Sequence, residues 1–384
     1  MDKRNYIIAT DLTADQLQKE LEIKSDIKSE RLKRLLSLPD LSRKENSPVQ
    51  FIVDAVLALP MFAKFDVMQL PEIVSVKNNF DLLNSPQDHP SRKETDTYYI
   101  NPEYILRTQT TVMWPFYLQR SEVLEELEKT GEVGLLAHGK VYRKDEIDRN
   151  HFPVFHQIDG LYICKKEQKI LGIPELHEVL AAITKAIYGD NIIYRFLEDT
   201  FPFTDPSTQI EIQRGENWLE VVGAGVVHTQ VLKNLGVDPE VYNGWAFGFG
   251  LERLAMAKMN VNDIRVFWSD DVRITSQFKN LDSQYQEVSK YPMTYRDISF
   301  VVGKDVSLNS YYEIIRDCVD ENIIEEVKMT DTYENSEKFG SDKISYTFRI
   351  VYRSPERTLT NEEVNKIQDE IIKRTRVELN AEIR

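Results

Sequence analysis

Arg143 and Arg253 are the side chains best placed by their neighbours to do chemistry. Arg143 lies in VYRKDEIDRNHFPVFHQIDG, Val141 to Gly160, which reads as strand, charged turn and strand, with Phe155, Gln157 and Asp159 at alternate positions after the turn. A hairpin so built aims a guanidinium and an aromatic face into one pocket. A nucleoside triphosphate needs both, the charge against its α-phosphate and the ring against its base. A surface hairpin whose KDEID charges are only solvated is the plainer alternative. Arg253 closes GWAFGFGLER, where glycines at 244, 248 and 250 alternate with aromatics at 245, 247 and 249, and Glu252-Arg253 opens the amphipathic run LERLAMAKM. The run suits the floor of a nucleotide and aromatic-ligand pocket ending in a fixed cation. A packed strand whose arginine merely snorkels has the same composition.

These residues need elements to hold them. Thr13 is the expected cap of a helical pattern with Leu17, Leu21, Leu32, Leu35 and Leu36 on its apolar positions, broken by SRKENS at 42–47. Ser47-Pro48 starts a second helix ending near Pro60, and FDVMQL then reads as a strand up to Pro71. From about Asn101 to Ala257 short strands dominate, among them VYRKD, FHQIDGLYI, IIYRFLE, TQIEIQR and NWLEVVG, with one clear helix over Pro174 to Tyr188. Strands not regularly alternated with helices predict a mostly antiparallel sheet flanked by helices, an α+β fold. Beyond the polar stretch KNLDSQYQEVSK the order is strand (297–302), helix (310–322), strand (324–332), strand (344–352) and a helix opened by a Thr360 to Glu363 capping box. That order predicts a ferredoxin-like split βαβ domain.

Composition sets the outer bounds. The 384 residues are 41% hydrophobic and 29% charged, enough for two or three domains with ample core, and no apolar run approaches membrane-spanning length. Cys164 and Cys318 lie far apart with no metal-type spacing, which fits a reducing compartment. The start MDKRNYIIATDL has neither an apolar h-region nor an Arg/Ser-rich stretch. The expectation is a cytoplasmic protein, or one of a mitochondrial or other organellar matrix if a transit peptide was removed. A net charge of -15 argues against indiscriminate nucleic-acid binding but permits a shaped acceptor held by local basic patches.

With these motifs in order, a resemblance emerges. Val141 to Gly160 resembles motif 2 of the class II aminoacyl-tRNA synthetases, Gly244 to Arg253 their motif 3 and Ser47 to Pro71 their motif 1. RTQTT at 107–111, FHQIDG at 155–160, FPFTDPS at 201–207 and GWAFGFGLERLAM at 244–256 are similar to the phenylalanyl-tRNA synthetase family. YPMTYRDISF at 291–300 and YRSPERTLT at 352–360 resemble the ferredoxin-fold anticodon-binding domain of its single-chain, mitochondrial-type members. The implied plan is an N-terminal helical appendage (1–46), a class II catalytic domain (47–278), a linker (279–290) and the ferredoxin-like domain (291–384). The first 45 or so residues match no family motif.

The resemblance implies roles at matching positions. ATP would activate phenylalanine to an adenylate, and the 2′-OH of the terminal adenosine of tRNA(Phe) would take the aminoacyl group. Arg143 would bind the α-phosphate. Arg253 would cover the face of adenine opposite Phe155 and meet the γ-phosphate, with Asp145 and His151 as further ATP contacts. Mg2+ would neutralise the triphosphate, with Glu220 as its carboxylate, although an outward strand residue beside Trp218 reads the same. Phe201 and Phe203, two apart and so on one face of a strand, would stack on the substrate ring unless they are plain core. Ala246 would be the pocket floor, and Gln109, Thr111, Gln157 and Asp159 would orient the ammonium and carboxylate. Family members generally carry Glu where Asp159 stands, and many carry Ser where Thr111 stands. Asp is one methylene shorter, so a direct contact to the ammonium is lost or passes to water.

Arg296, Arg349, Tyr352, Arg353 and Arg357 would hold tRNA, since basic residues interleaved with tyrosine can grip phosphates and stack on unpaired bases; solvent-facing charge on a small sheet gives the same pattern. Single-chain members are expected to be monomers. Two other readings stay open: a paralogue that activates another amino acid or acceptor, and a synthetase-derived regulator that binds ligand and RNA without turnover.

Overall fold

A strand in the middle of a sheet covered on both faces must be apolar on both sides. EVGLLAHGKVY meets this demand, for every residue of Glu132–Tyr142 except Glu132 and Gly134 is buried. It is an inner strand of the large sheet in the computed structural model, which describes residues 4–287, 291–320, 322–354 and 356–384. Residues 1–3 of the N-terminal run, 288–290 of the expected linker, 321 in the expected helix 310–322 and Pro355 in YRSPERTLT lie outside the described residues.

The chain folds as two compact units. The first takes Met1–Arg143, Val154–Asn260 and Phe278–Ser283; the second takes Lys144–Pro153, Val261–Gln277 and Gln284–Arg384. In chain order the strands of the first are β1 (Tyr6–Ile8), β2 (Asp66–Gln69), β3 (Ile73–Ser75), β4 (Tyr99–Asn101), β5 (Tyr104–Leu106), β6 (Glu132–Tyr142), β7 (Val154–Lys165), β8 (Tyr194–Phe201), β9 (Thr204–Arg214), β10 (Asn217–Val227) and β11 (Tyr242–Gly250). Eight of them form one sheet in the order β1-β2-β6-β7-β11-β10-β9-β8, while β3, β5 and β4 form a small sheet. Among the described residues only the β1–β2 and β2–β6 pairs are parallel. The helices Pro48–Leu57, Ile173–Tyr188 and Leu251–Met259 pack on one another, and the latter two also meet the sheet. Ser47 caps the first of them with Pro48 at its first turn, as expected.

The N-terminal stretch differs from the expected appendage. β1 pairs with β2, Tyr6 opposite Val67, so the main sheet begins with residues 6–8. The helical pattern splits into Leu12–Ile23, capped by Asp11 rather than Thr13, and Ile27–Ser37, capped by Asp26. A carboxylate accepting amide bonds at each start explains both boundaries.

The second unit carries β12 (Thr294–Gly303), β13 (Ile324–Tyr333), β14 (Lys343–Tyr352) and β15 (Glu382–Ile383), in the order β13-β14-β12-β15 and antiparallel where paired. With the helices Leu308–Cys318 and Asn361–Glu378 this is the ferredoxin-like arrangement. The second helix opens with the expected box, the Glu363 amide donating to Thr360 Oγ1 at 3.2 Å and the Thr360 amide to Glu363 Oε2 at 2.9 Å. Its core holds Phe300, Tyr311, Phe348 and Tyr352 together with Ile147, and the Val327 amide donates to Ile147 O at 2.9 Å. Lys144–Pro153 and Val261–Gln277, both within the expected catalytic domain, pack in the unit of the terminal domain.

Candidate active site

The alternation in β11 separates two surfaces. Trp245, Phe247 and Phe249 form a buried ladder with centroids 5.9 and 5.7 Å apart, joined by Phe62 and Phe65. Gly244, Ala246, Gly248 and Gly250 face the other way. Across the sheet Gly250 meets Gln157, Gly248 meets Asp159 and Gly223, and Ala246 meets Leu161 and Gly225. A Cβ on Gly248 would lie 2.8 Å from Asp159 Oδ1, and one on Gly223 would lie 2.7 Å from the Phe201 ring. These glycines thus make room for a carboxylate and a phenyl ring.

At one end of this face the Phe201 and Phe203 rings lie parallel, 4° apart with centroids at 5.9 Å. They do not share a strand face as expected. Phe201 ends β8 and Phe203 sits with Pro202 in the turn before β9, because proline interrupts the ladder there. Trp114 stands edge-on to Phe203 at 5.8 Å, and Ala246, Leu161, Val227 and Trp114 share the core cluster against which Phe203 packs.

Asp159 is buried, and its two oxygens accept the Thr110 and Thr111 hydroxyls, the latter at 2.5 Å. Burial pushes its carboxyl up to about 6, against the pull of both hydroxyls and Arg143. The Thr110 amide donates to Gln157 Oε1 at 3.3 Å, and Gln109 Nε2 donates to Asn79 O at 3.2 Å. Asn79, fully buried, also exchanges two bonds with Thr108, at 2.8 and 3.2 Å. Sequence reasoning missed Asn79 and Thr110, since an asparagine in KNNFD carries no mark of a partner 29 residues on.

At the other end of this face Arg143 follows directly on β6, its guanidinium 5.2 Å from the centre of the Phe155 ring and its Nε donating to Thr108 O at 3.0 Å. Arg253 stands exposed in the first turn of Leu251–Met259, with no ion pair to any of the described residues. Glu220 is exposed on β10 opposite Glu211 of β9. Glu211 in turn takes Arg195 Nε at 2.8 Å, and that guanidinium covers the Trp218 ring at 4.2 Å. Among the described residues no group of three or more side chains could hold a metal ion by itself. One exposed carboxylate with a second across the ladder fits a magnesium ion that takes its remaining ligands from phosphates and water. Asp145 and His151 fall in the second unit, where the Asp145 carbonyl accepts from Arg316 at 2.5 Å and His151 Nδ1 meets Asp148 at 2.9 Å.

The terminal-domain candidates do not form one basic face. Tyr352 is a core residue with no exposed surface, its hydroxyl donating to Gln368 Oε1 at 2.9 Å, so it cannot stack on a base. Arg296 is held by Asn361 and Asn365, Arg353 by Glu325 at 2.7 Å and Arg357 by Glu363 at 2.7 Å. Arg349 grips Asp297 with two bonds of 2.8 Å and lies 4.2 Å over the ring of Tyr295, which is exposed. Tyr295 with Arg349 is thus an exposed aromatic and cation pair on this domain.

Comparison with known proteins fits this geometry. Residues 36–278 match the class II core domain (F) of tRNA synthetases, and residues 289–384 match the ferredoxin-fold anticodon-binding domain. The chain is 37% identical over 360 residues to the chloroplastic/mitochondrial phenylalanine–tRNA ligase of Arabidopsis thaliana, covering 90% of this chain and 80% of that one. It is 34% identical to the probable mitochondrial phenylalanine–tRNA ligase of Drosophila melanogaster over 85% of this chain and 80% of that one. It is 35% identical to the phenylalanine–tRNA ligase alpha subunit of Clostridium novyi over 67% of this chain and 77% of that one. The chain belongs to the class II aminoacyl-tRNA synthetases, in the phenylalanine–tRNA ligase family, with the class II core joined to a ferredoxin-fold anticodon-binding domain.

Proposed function

We propose that this protein is a phenylalanine–tRNA ligase: it activates phenylalanine with ATP and passes the aminoacyl group to the 2′-OH of the terminal adenosine of tRNA(Phe). The observation that carries the reading is one sheet face on which the parallel Phe201 and Phe203 rings and the small Ala246 lie beside the Asp159 carboxylate and its threonines. A flat aromatic side chain packs against such rings over a small floor, and an ammonium fits beside a carboxylate. Arg143 and Phe155, next along β6 and β7, take the α-phosphate and one face of adenine, and Arg253 takes the other. The substrate carboxylate attacks the α-phosphorus and pyrophosphate leaves; then the ribose hydroxyl attacks the acyl carbon and AMP leaves. No enzyme nucleophile is needed, so positioning and charge do the work. Magnesium, bound with ATP at Glu220, would offset the triphosphate charge when present.

Three further points belong to the same reading. The protein acts as a monomer. Tyr295 and Arg349 take part in holding tRNA. An organellar matrix is the compartment that the relatives' names support, and no helix among the described residues is long and apolar enough to cross a membrane. A second reading, activation of another amino acid, draws on Asp159, whose two oxygens are already engaged by Thr110 and Thr111. Aminoacylation of total tRNA with each labelled amino acid decides between them. Phenylalanyl-tRNA with AMP and pyrophosphate in equal amounts is expected, and charging with a different amino acid overturns the substrate.

A further inference from the structure

β7 and β11 stay paired down to Gln157 opposite Gly250, and from Leu251 the chain turns into a helix. The next amide of β7 facing that side, that of His156, thus has no strand to donate to, and a buried amide without an acceptor is costly. The Glu252 carboxylate takes it, at 3.1 and 2.8 Å to its two oxygens, and takes the ring Nδ1–H at 2.6 Å as well. On the other edge of the ring Nε2 accepts the Leu41 amide at 2.9 Å. His156 has no exposed surface and Glu252 is 2% exposed, so neither can touch a ligand.

The neighbours of this pair are the two residues read as walls of the adenine slot. Phe155 precedes His156 and Arg253 follows Glu252. The strand bearing one wall and the helix bearing the other are therefore joined, at the point where the ladder stops, by a bidentate bond and a ring bond. The third member is equally fixed, because Lys140 of β6 donates to Leu36 O at 2.9 Å and Leu38 O at 2.7 Å, pinning the segment that leads to Leu41.

We propose that His156 and Glu252, anchored by Leu41, are positioning residues that set the spacing between Phe155 and Arg253. The inference rests on reading those two residues as the adenine walls. It also gives the stretch around residues 36–41, at the start of the class II core match, a function as the brace of the nucleotide site. A wall displaced by a fraction of an ångström weakens ATP, while the phenylalanine pocket, built on Phe201, Phe203 and Ala246, is left as it was.

The test is calorimetric binding of ATP with magnesium and, separately, of phenylalanine, to the full chain and three variants. His156→Leu removes both ring bonds, Glu252→Gln keeps shape but loses an acceptor, and His156→Asn keeps a donor toward Glu252. His156→Leu and Glu252→Gln are expected to weaken ATP by about tenfold with phenylalanine within about twofold, and His156→Asn to stay within about threefold for both. If His156→Leu does not fold, Glu252→Gln against His156→Asn carries the comparison. Unchanged ATP affinity in His156→Leu and Glu252→Gln overturns the proposal, as does parallel weakening of both ligands, which general loss of structure produces. Failure of the wild-type chain to bind ATP removes the nucleotide reading and this inference with it.

Discussion

Burial and hydrogen bonding act on Asp159 in opposite directions, and the balance gives the site a pH dependence. Burial is the larger influence and brings the carboxyl to about 6, so the group is charged above that pH and neutral below it. A neutral acid does not attract the substrate ammonium. The KM for phenylalanine is expected to rise by about tenfold per pH unit below about 6, and in Asp159→Asn to be raised and flat. Steady-state exchange kinetics between pH 5 and 8 check this, and a wild-type profile as flat as the variant's contradicts it. At Ala246, Val should exclude phenylalanine and Gly should admit para-substituted analogues, read as kcat/KM ratios; unchanged selectivity in both removes Ala246 from the pocket. Arg143, Phe155, Gln157 and Asp159 were legible in sequence because alternation within one hairpin places them together. The His156–Glu252 bond was not, since its partners are 96 residues apart and both look like surface polar residues when read singly.

Elements were legible where their own chemistry ends them. Ser47-Pro48 and Thr360–Glu363 mark helix starts that the structure reproduces, because a cap is a local bond. Thr360→Ala removes an acceptor from the first turn of Asn361–Glu378 and should cost about 1 kcal/mol, seen as a lower melting temperature; an unchanged melt contradicts it. β1 and β15 went unread because three and two residues carry no usable period, and both exist only through pairing with distant strands. Glycine spacing in GWAFGFG was legible as close approach, but which groups approach was not. Gly160, on β7, faces the Phe247 ring at 2.4 Å from where a Cβ would sit. Gly160→Ala should therefore destabilise the sheet by about 1–3 kcal/mol in urea unfolding, and a variant as stable as wild type would show that the ladder can shift freely.

At the scale of the whole molecule, the two-part plan was legible, and the packing of Lys144–Pro153 and Val261–Gln277 in the terminal unit was not. Ile147 is apolar in an otherwise charged turn, and its place in the terminal core explains why. A truncation near residue 290 therefore does not separate catalysis from RNA binding cleanly, because it strips Ile147 of its core. Substitution does so better. Tyr295→Ala with Arg349→Ala should lower tRNA charging by about tenfold and leave pyrophosphate exchange unchanged; equal charging refutes the assignment. With a net charge of -15 and acid or amide partners on Arg296, Arg349, Arg353 and Arg357, tRNA binding must depend on shape and stacking as well as on phosphate attraction.

Amino-acid-dependent ATP–pyrophosphate exchange across all twenty amino acids, with Arg253→Ala alongside, decides whether this chain activates phenylalanine. The expected result is strong exchange with phenylalanine alone and near-complete loss in the variant. Exchange with a different amino acid contradicts the substrate assignment, and no exchange with any, with tRNA present, contradicts the enzyme itself.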